Sequence, residues 1–192
     1  MSFLFFVLWS KVSWAEIVED ETVAEIYRLR SKLEKYYQHE TWTAVNSTYE
    51  EMIRFKKKER GAMLTVEDHL KGAMASSSLG NIEETIRRLE ASIAIEQTDS
   101  AVEWKEMLTT ESGPVSISAN VGASLVYQET VFYPEMMLSI DFANQVLEEH
   151  GNFKGRLPVG SYQYGKLRFT VTKEGILKEK TSNESSIKSD SK

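Results

Sequence analysis

The sequence predicts an α+β fold in two parts: antiparallel α-helical hairpins first, then a small antiparallel β-sandwich. Three observations predict it. Residues 16–112 contain no proline, whereas Pro114, Pro134 and Pro158 all fall between 114 and 173. Apolar residues recur at helical spacing in the first stretch and alternate with polar ones in the second. Charge divides at the same place: residues 16–112 hold 13 basic and 20 acidic side chains, while 114–173 hold five of each. Proline-free charged sequence suits helices, and prolines among alternating Val, Tyr, Phe and Thr suit short strands. Glu111-Ser112-Gly113-Pro114 is therefore the expected boundary between a helical domain, 16–112, and a strand domain, 114–173.

The chain opens Met1-Ser2-Phe3-Leu4-Phe5-Phe6-Val7-Leu8-Trp9. This apolar run is too short to span a bilayer. Ser13 and Ala15 supply small residues at the −3 and −1 positions of a cut after Ala15, so residues 1–15 read as a signal peptide and the protein as exported. No Lys or Arg precedes the run. The alternative is an apolar N-terminal helix docked on the helical domain, in a cytoplasmic protein.

In the helical half, the first helix fits 19–38, with Ile26, Leu29, Leu33, Tyr36 and Tyr37 at helical spacing. The second fits 41–57, with Trp42, Val45, Tyr49, Met52 and Ile53 on one face. Thr65 and Asp68 form a capping-box start for a third helix at 66–79, whose apolar face is Val66, Leu70, Ala73 and Met74. Gly80 ends it in a left-handed conformation. Asn81 caps a fourth helix at 82–96, with Ile82, Ile86, Leu89 and Ile93 inward. Glu83–Arg87 and Glu84–Arg88 are i,i+4 pairs on it, each adding a few tenths of a kcal/mol. Ser100 and Glu103 make a further capping box, opening a fifth helix with Ala101, Trp104 and Leu108.

Turns of about three residues join helices one and two, and three and four, and such turns force antiparallel hairpins. In Leu79-Gly80-Asn81-Ile82-x-x-Thr85-Ile86-x-x-Leu89-x-x-Ser92-Ile93 the turn glycine, the large residue after it and the small residues Thr85 and Ser92 follow the order of a tetratricopeptide repeat. This stretch resembles that family. The resemblance implies a degenerate two-repeat array plus a capping helix, with a concave surface for a protein or peptide partner. The first-helix signature is weak, Gln97 stands where the usual closing proline would, and the repeat offset is 40 residues rather than ~34. An unrelated helical bundle is the alternative.

In the strand half, Val115, Ile117, Ala119 and Val121 alternate with polar residues, a half-buried strand ended by Gly122. Leu125, Tyr127 and Val131 continue a strand pattern, and Met136, Leu138, Ile140 and Phe142 alternate again. Glu148–Asn152 reads as a polar turn. Pro158-Val159-Gly160 leads into a strand at Ser161–Tyr164, and Gly165-Lys166 turns the chain into Leu167, Phe169 and Val171. Short strands at this spacing predict the sandwich. Pro134-Glu135-Met136-Met137-x-Ser139-Ile140-Asp141 and Gly155-x-Leu157-Pro158-x-Gly160-x-Tyr162 resemble two motifs of the PEGA-type, carboxypeptidase-regulatory class of small sandwich domains. That resemblance implies a non-catalytic accessory module. The tail from Thr181 to Lys192 is Ser- and Lys-rich with little to bury, and it reads as disordered.

Composition and motifs narrow the function. A net charge of −6 argues against nucleic acid as a partner. The absence of cysteine excludes disulfides, cysteine zinc sites and thiol catalysis. His39, His69 and His150 lie far apart, and none sits in a metal motif. No nucleophile elbow, phosphate loop or dinucleotide fingerprint is present, so neither a catalytic residue nor a cofactor is expected. The Arg54–Arg60 basic cluster reads as a solvated helix end. Asn46-Ser47-Thr48 matches a glycosylation acceptor but falls mid-helix.

The expectation is an exported, non-enzymatic interaction or scaffold protein. Tyr27, Arg28, Arg30, Tyr37 and Lys71 are its candidate partner-binding residues where they point away from the packed faces. Tyr162 and Tyr164 are candidates for a different role, stacking on sugars in a carbohydrate- or cell-wall-binding module. An unrecognised hydrolase built from scattered carboxylates is a third alternative.

Overall fold

The computed structural model describes residues 14–58, 63–118, 122–128 and 134–178. The expected signal peptide up to residue 13, the basic cluster from Glu59 onward and the C-terminal tail lie outside them. Five helices come first: α1 (Trp14–Gln38), α2 (Trp42–Lys58), α3 (Val66–Ser78), α4 (Ile82–Ile93) and α5 (Asp99–Glu111). Then come β1 (Ser112–Ser118), β2 (Leu125–Tyr127), α6 (Pro134–His150), β3 (Asn152–Pro158), β4 (Gly160–Tyr164), β5 (Leu167–Thr172) and β6 (Gly175–Lys178). The fold is α+β in two parts, as the sequence predicts.

Local chemistry sets the helix ends. Thr65 and Asp68 make the full capping box at α3, each side chain accepting from the other's backbone N–H. Asn81 accepts from the Glu84 N–H at α4. The capping box expected at Ser100 and Glu103 does not form. Helix α5 starts earlier, with Thr98 as its N-cap, and Thr98 makes no side-chain cap bond. Neighbouring helices pack in chain order from α1 to α5. Leu29, Leu33, Val45, Tyr49 and Met52 form one core between α1, α2 and α3. A second core joins Ala73, Ile82, Ile86, Leu89, Ala101 and Leu108.

The stretch at 134–142, expected as a strand, is the start of α6. Alternating Met136, Leu138, Ile140 and Phe142 conceals a second pattern, Met136, Ile140, Ala143 and Leu147, spaced four, three and four. That second set is the buried one. Pro134 stands at the first helical position, where its missing N–H leaves no intrahelical bond unmade. This removes the strand on which the first sandwich-like motif rested. The second motif keeps its geometry: β3 ends at Pro158, Gly160 opens β4, and Tyr162 lies on that strand.

The strands form two antiparallel sheets. β1 pairs with β3 alone, and the other sheet runs in the order β2-β4-β5-β6. Val115 and Ile117 from β1, Phe153 and Leu157 from β3 and Tyr162, Tyr164, Phe169 and Val171 from the larger sheet share one core. Ile140, Ala143 and Leu147 bring α6 into it.

Two of the contacts between the parts show how they are joined. Arg156 of β3 reaches the end of α5, donating to the carbonyls of Thr109 at 3.3 Å and Ser112 at 2.6 Å. The Val159 N–H donates to the Glu111 carbonyl at 2.9 Å. Carbonyls that α5 leaves unpaired at its C-terminus are thus satisfied by the strand half. The second contact is at Gly80. Its φ is +80°, and a Cβ there would lie 2.2 Å from the Leu138 carbonyl oxygen. Only glycine both adopts that turn and lets the α3–α4 reversal touch the α6 backbone.

Gly151 offers a control, with φ +74° and nothing within 4 Å of a built Cβ. In urea unfolding, Gly151→Ala should lose only the left-handed term, about 1–2 kcal/mol. Gly80→Ala should lose clearly more, because backbone must also move. Equal losses would mean that the contact of Gly80 with α6 is not made.

Candidate functional site

The sequence-predicted residues divide into three environments. Arg30 of α1 grips Asp68 of α3 through Nε at 3.0 Å and Nη2 at 2.7 Å. Lys71 of α3, only 11% exposed, pairs with Glu34 and with Glu67. Arg28 pairs with Glu25 on its own helix. All three cations are engaged within the molecule, and Arg30 and Lys71 tie α3 to α1. Burial alone would lower the Lys71 ammonium, but hydrogen bonds to Glu34 and Glu67 prevail and hold it above its ordinary value. Tyr27 is exposed, with the Arg30 guanidinium 6.0 Å from its ring centre. Tyr37 is half-buried and meets Trp42 edge-on at 5.8 Å.

Tyr162 and Tyr164 are 1% and 3% exposed. Tyr162 stacks on Phe169 at 5.5 Å, meets Tyr127 edge-on at 5.0 Å, and donates its hydroxyl to the Pro158 carbonyl. Both rings belong to the core, so neither presents a face to a sugar.

A charged lattice that the sequence did not reveal lies between α2, α3 and α4. Arg88, the expected i,i+4 partner of Glu84, is 2% exposed. Its Nη1 donates to the Gly72 carbonyl at 2.6 Å, its Nε to Glu84 at 2.7 Å and its Nη2 to Glu50 at 2.7 Å. Its guanidinium sits 4.4 Å from the Tyr49 ring centre. A Cβ on Gly72 would lie 2.6 Å from that ring, so glycine lets Tyr49 lie against α3. Arg87 pairs with Glu84 rather than with Glu83. Burial would raise the Glu84 carboxyl, but hydrogen bonds from Arg87 and Arg88 outweigh it and hold the group below its usual range. Burial pushes the Tyr49 hydroxyl up to about 12.

The Tyr49 hydroxyl lies 2.7 Å from Nδ1 of buried His69. Burial lowers the His69 pKa, the charges of Lys56 and Arg88 lower it further, and Asp68 opposes them. The group is therefore neutral in the fold at pH 7. An unfolded chain takes up that proton near pH 6.5, so stability falls as pH drops through this value. We expect the loss between pH 7.5 and 5.5, of at most about 1.4 kcal/mol per pH unit, to shrink in a His69→Gln variant. An identical pH slope in the variant would remove His69 as its source.

A cleft of about 420 Å³ opens where α2, α3, α4, α5 and α6 converge. Buried Ile82, Leu108 and Met136 lie at its base. Half-buried Trp42, Trp104 and Met107 line it, and Met74 and Leu138 are 37% and 41% exposed at its edge. Among the predicted partner residues, Tyr37 comes nearest through its contact with Trp42. The cleft escaped the sequence reading for two reasons. The alternation over 134–142 predicts a strand where α6 stands, and helical spacing assigns Met74 to the apolar face of α3.

A second cleft of about 340 Å³, with Asn46, Glu50, Asn81 and Arg87, lies across α3 from the first. Its charged groups pair with one another. Thr48, the last residue of the glycosylation-like triplet, is buried in α2. Among the described residues no cluster of three or more metal-ligating side chains occurs, and no helix is long and apolar enough to cross a membrane. Comparison with known proteins gives no matching family model, no matching curated protein and no matching solved structure.

Proposed function

We propose that this chain is a non-enzymatic interaction protein that seats a polypeptide segment in the Trp42–Trp104–Leu138 cleft. The observation that carries the reading is an apolar cleft left open at a junction of five helices and edged by methionine and leucine. Its volume falls in the range typical of concave binding sites, ~300–1,000 Å³. Methionine and tryptophan suit such a role: one adapts its shape, the other supplies large contact area. The helical hairpins, with their turn at Gly80 and small residues at Thr85 and Ser92, support a degenerate tetratricopeptide-like array as the scaffold. The apolar run at Phe3–Trp9 supports export, which N-terminal sequencing of the native protein would test.

Selection from a random peptide display library tests the cleft directly. Enriched peptides should carry several large apolar residues and should lose at least about tenfold in affinity for Leu138→Lys and for Met74→Lys. Both side chains are substantially exposed, so these variants keep the fold. Peptides that bind wild type and both variants equally would place the partner site elsewhere.

A further inference from the structure

We infer that the occupant of this cleft is a cationic amphipathic α-helix, an inference that rests on the cleft being the partner site. Three observations lead to it.

The first concerns the backbone. The cleft is lined by α2, α3, α4, α5 and α6 and by no strand. Among the described residues no strand edge faces the cleft, so its walls offer no continuous row of backbone partners for strand addition. An extended peptide pressed into apolar surface would leave its backbone groups unpaired there, at about 1–3 kcal/mol each. A helix carries its hydrogen bonds with it and presents apolar side chains at i, i+3, i+4 and i+7.

The second concerns the lining. Met74, Met107 and Met136 line the cleft together with Trp42 and Trp104. Flexible thioethers fit the ridged face of a helix without demanding one side-chain sequence.

The third concerns charge. Glu103 and Glu111 stand one helical turn to either side of Met107 on α5, and Asp141 stands one turn beyond Leu138 on α6. All three are exposed. Among the described residues none of them has an ion-pair partner. Helix α5 carries Asp99, Glu103, Glu106 and Glu111, and α6 carries Glu135, Asp141, Glu148 and Glu149. Within these two helices Lys105, 3.4 Å from Glu90 of α4, is the one Lys or Arg against eight carboxylates, and the nearby Arg156 of β3 commits its guanidinium to the Thr109 and Ser112 carbonyls. An apolar cleft with an acidic rim complements a helix with an apolar face and basic flanks, and disfavours an acidic one.

The test uses the full chain and two synthetic helical peptides of about four turns. Both carry leucine at i, i+3, i+4 and i+7; one has lysine and the other glutamate at the polar positions. By calorimetry at low salt, the lysine peptide should bind at least about tenfold tighter. That preference should narrow in about 0.5 M salt, and in the combined variant Glu103→Gln, Glu111→Gln, Asp141→Asn. Equal, salt-independent affinities would overturn the cationic assignment while leaving the cleft as the partner site. A lysine peptide of the same composition, with central prolines that forbid a helix, should bind weakly; equal binding would overturn the helical assignment. Failure of both helical peptides to bind, or undiminished binding to Leu138→Lys, would overturn the cleft reading itself. The peptide Phe3–Lys11 serves as a competitor, and tighter binding by it would make the occupant this chain's own N-terminal segment.

Discussion

One buried cation organises the helical half. Arg88 contributes three hydrogen bonds, to α2, α3 and its own helix, and lies over Tyr49 from α2. Taking a guanidinium out of water is expensive, so its site must be nearly complete to be tolerated. Such a group is poor as a source of net stability, since an apolar side chain of similar volume often does as well. Its strength is discrimination: a shift of α4 against α2 by one turn would strand the cation away from Glu50 and the Gly72 carbonyl. The alternative packings that generic apolar faces would allow are thereby penalised.

From that fixed relation the cleft follows. With α3 and α4 locked, their reversal at Gly80 has one position, and it abuts the α6 backbone at Leu138. Met136 then enters the helical core, while Ile140, Ala143 and Leu147 on the same helix enter the strand core. Helix α6 is therefore a shared wall, and the cleft is the gap that remains between its first turns, α5 and the start of α2. Arg156 fixes the other border by capping α5 from β3. The cleft needs both halves of the chain, so a cut at Gly113 would not yield a helical fragment that contains it.

Features set by neighbouring residues were legible in the sequence. Thr65 with Asp68, Asn81 with Glu84, and Gly80 each act within four residues, so their chemistry is written locally. Features set by contacts far along the chain were not. Arg88 looks like any exposed partner of Glu84, and only Glu50, 38 positions away, and Gly72 reveal its burial. The first residues of α6 satisfy a two-residue and a 3.6-residue period at once, so locally they predict a strand as well as a helix. The longer pattern to Leu147 separates them, and helices are recognised by length. Arg30 and Lys71 looked available for a partner for the same reason: Asp68 and Glu34 are remote in sequence and adjacent in space.

The two sides of α3 divide the labour. One side meets α2 and α4 through charges whose hydrogen bonds have narrow geometric tolerance. The other side carries Met74 toward a cleft lined by groups of little directional demand. Charged lattices resist deformation because each displaced bond exposes an unsatisfied charge, whereas methionine rearranges among rotamers of similar energy. Side chains on the soft side can rearrange without disturbing the stiff side. The buried ionic network and the open apolar cleft are thus complementary requirements. The first holds the helices still enough that the second keeps its shape when empty, with only its side chains left to move.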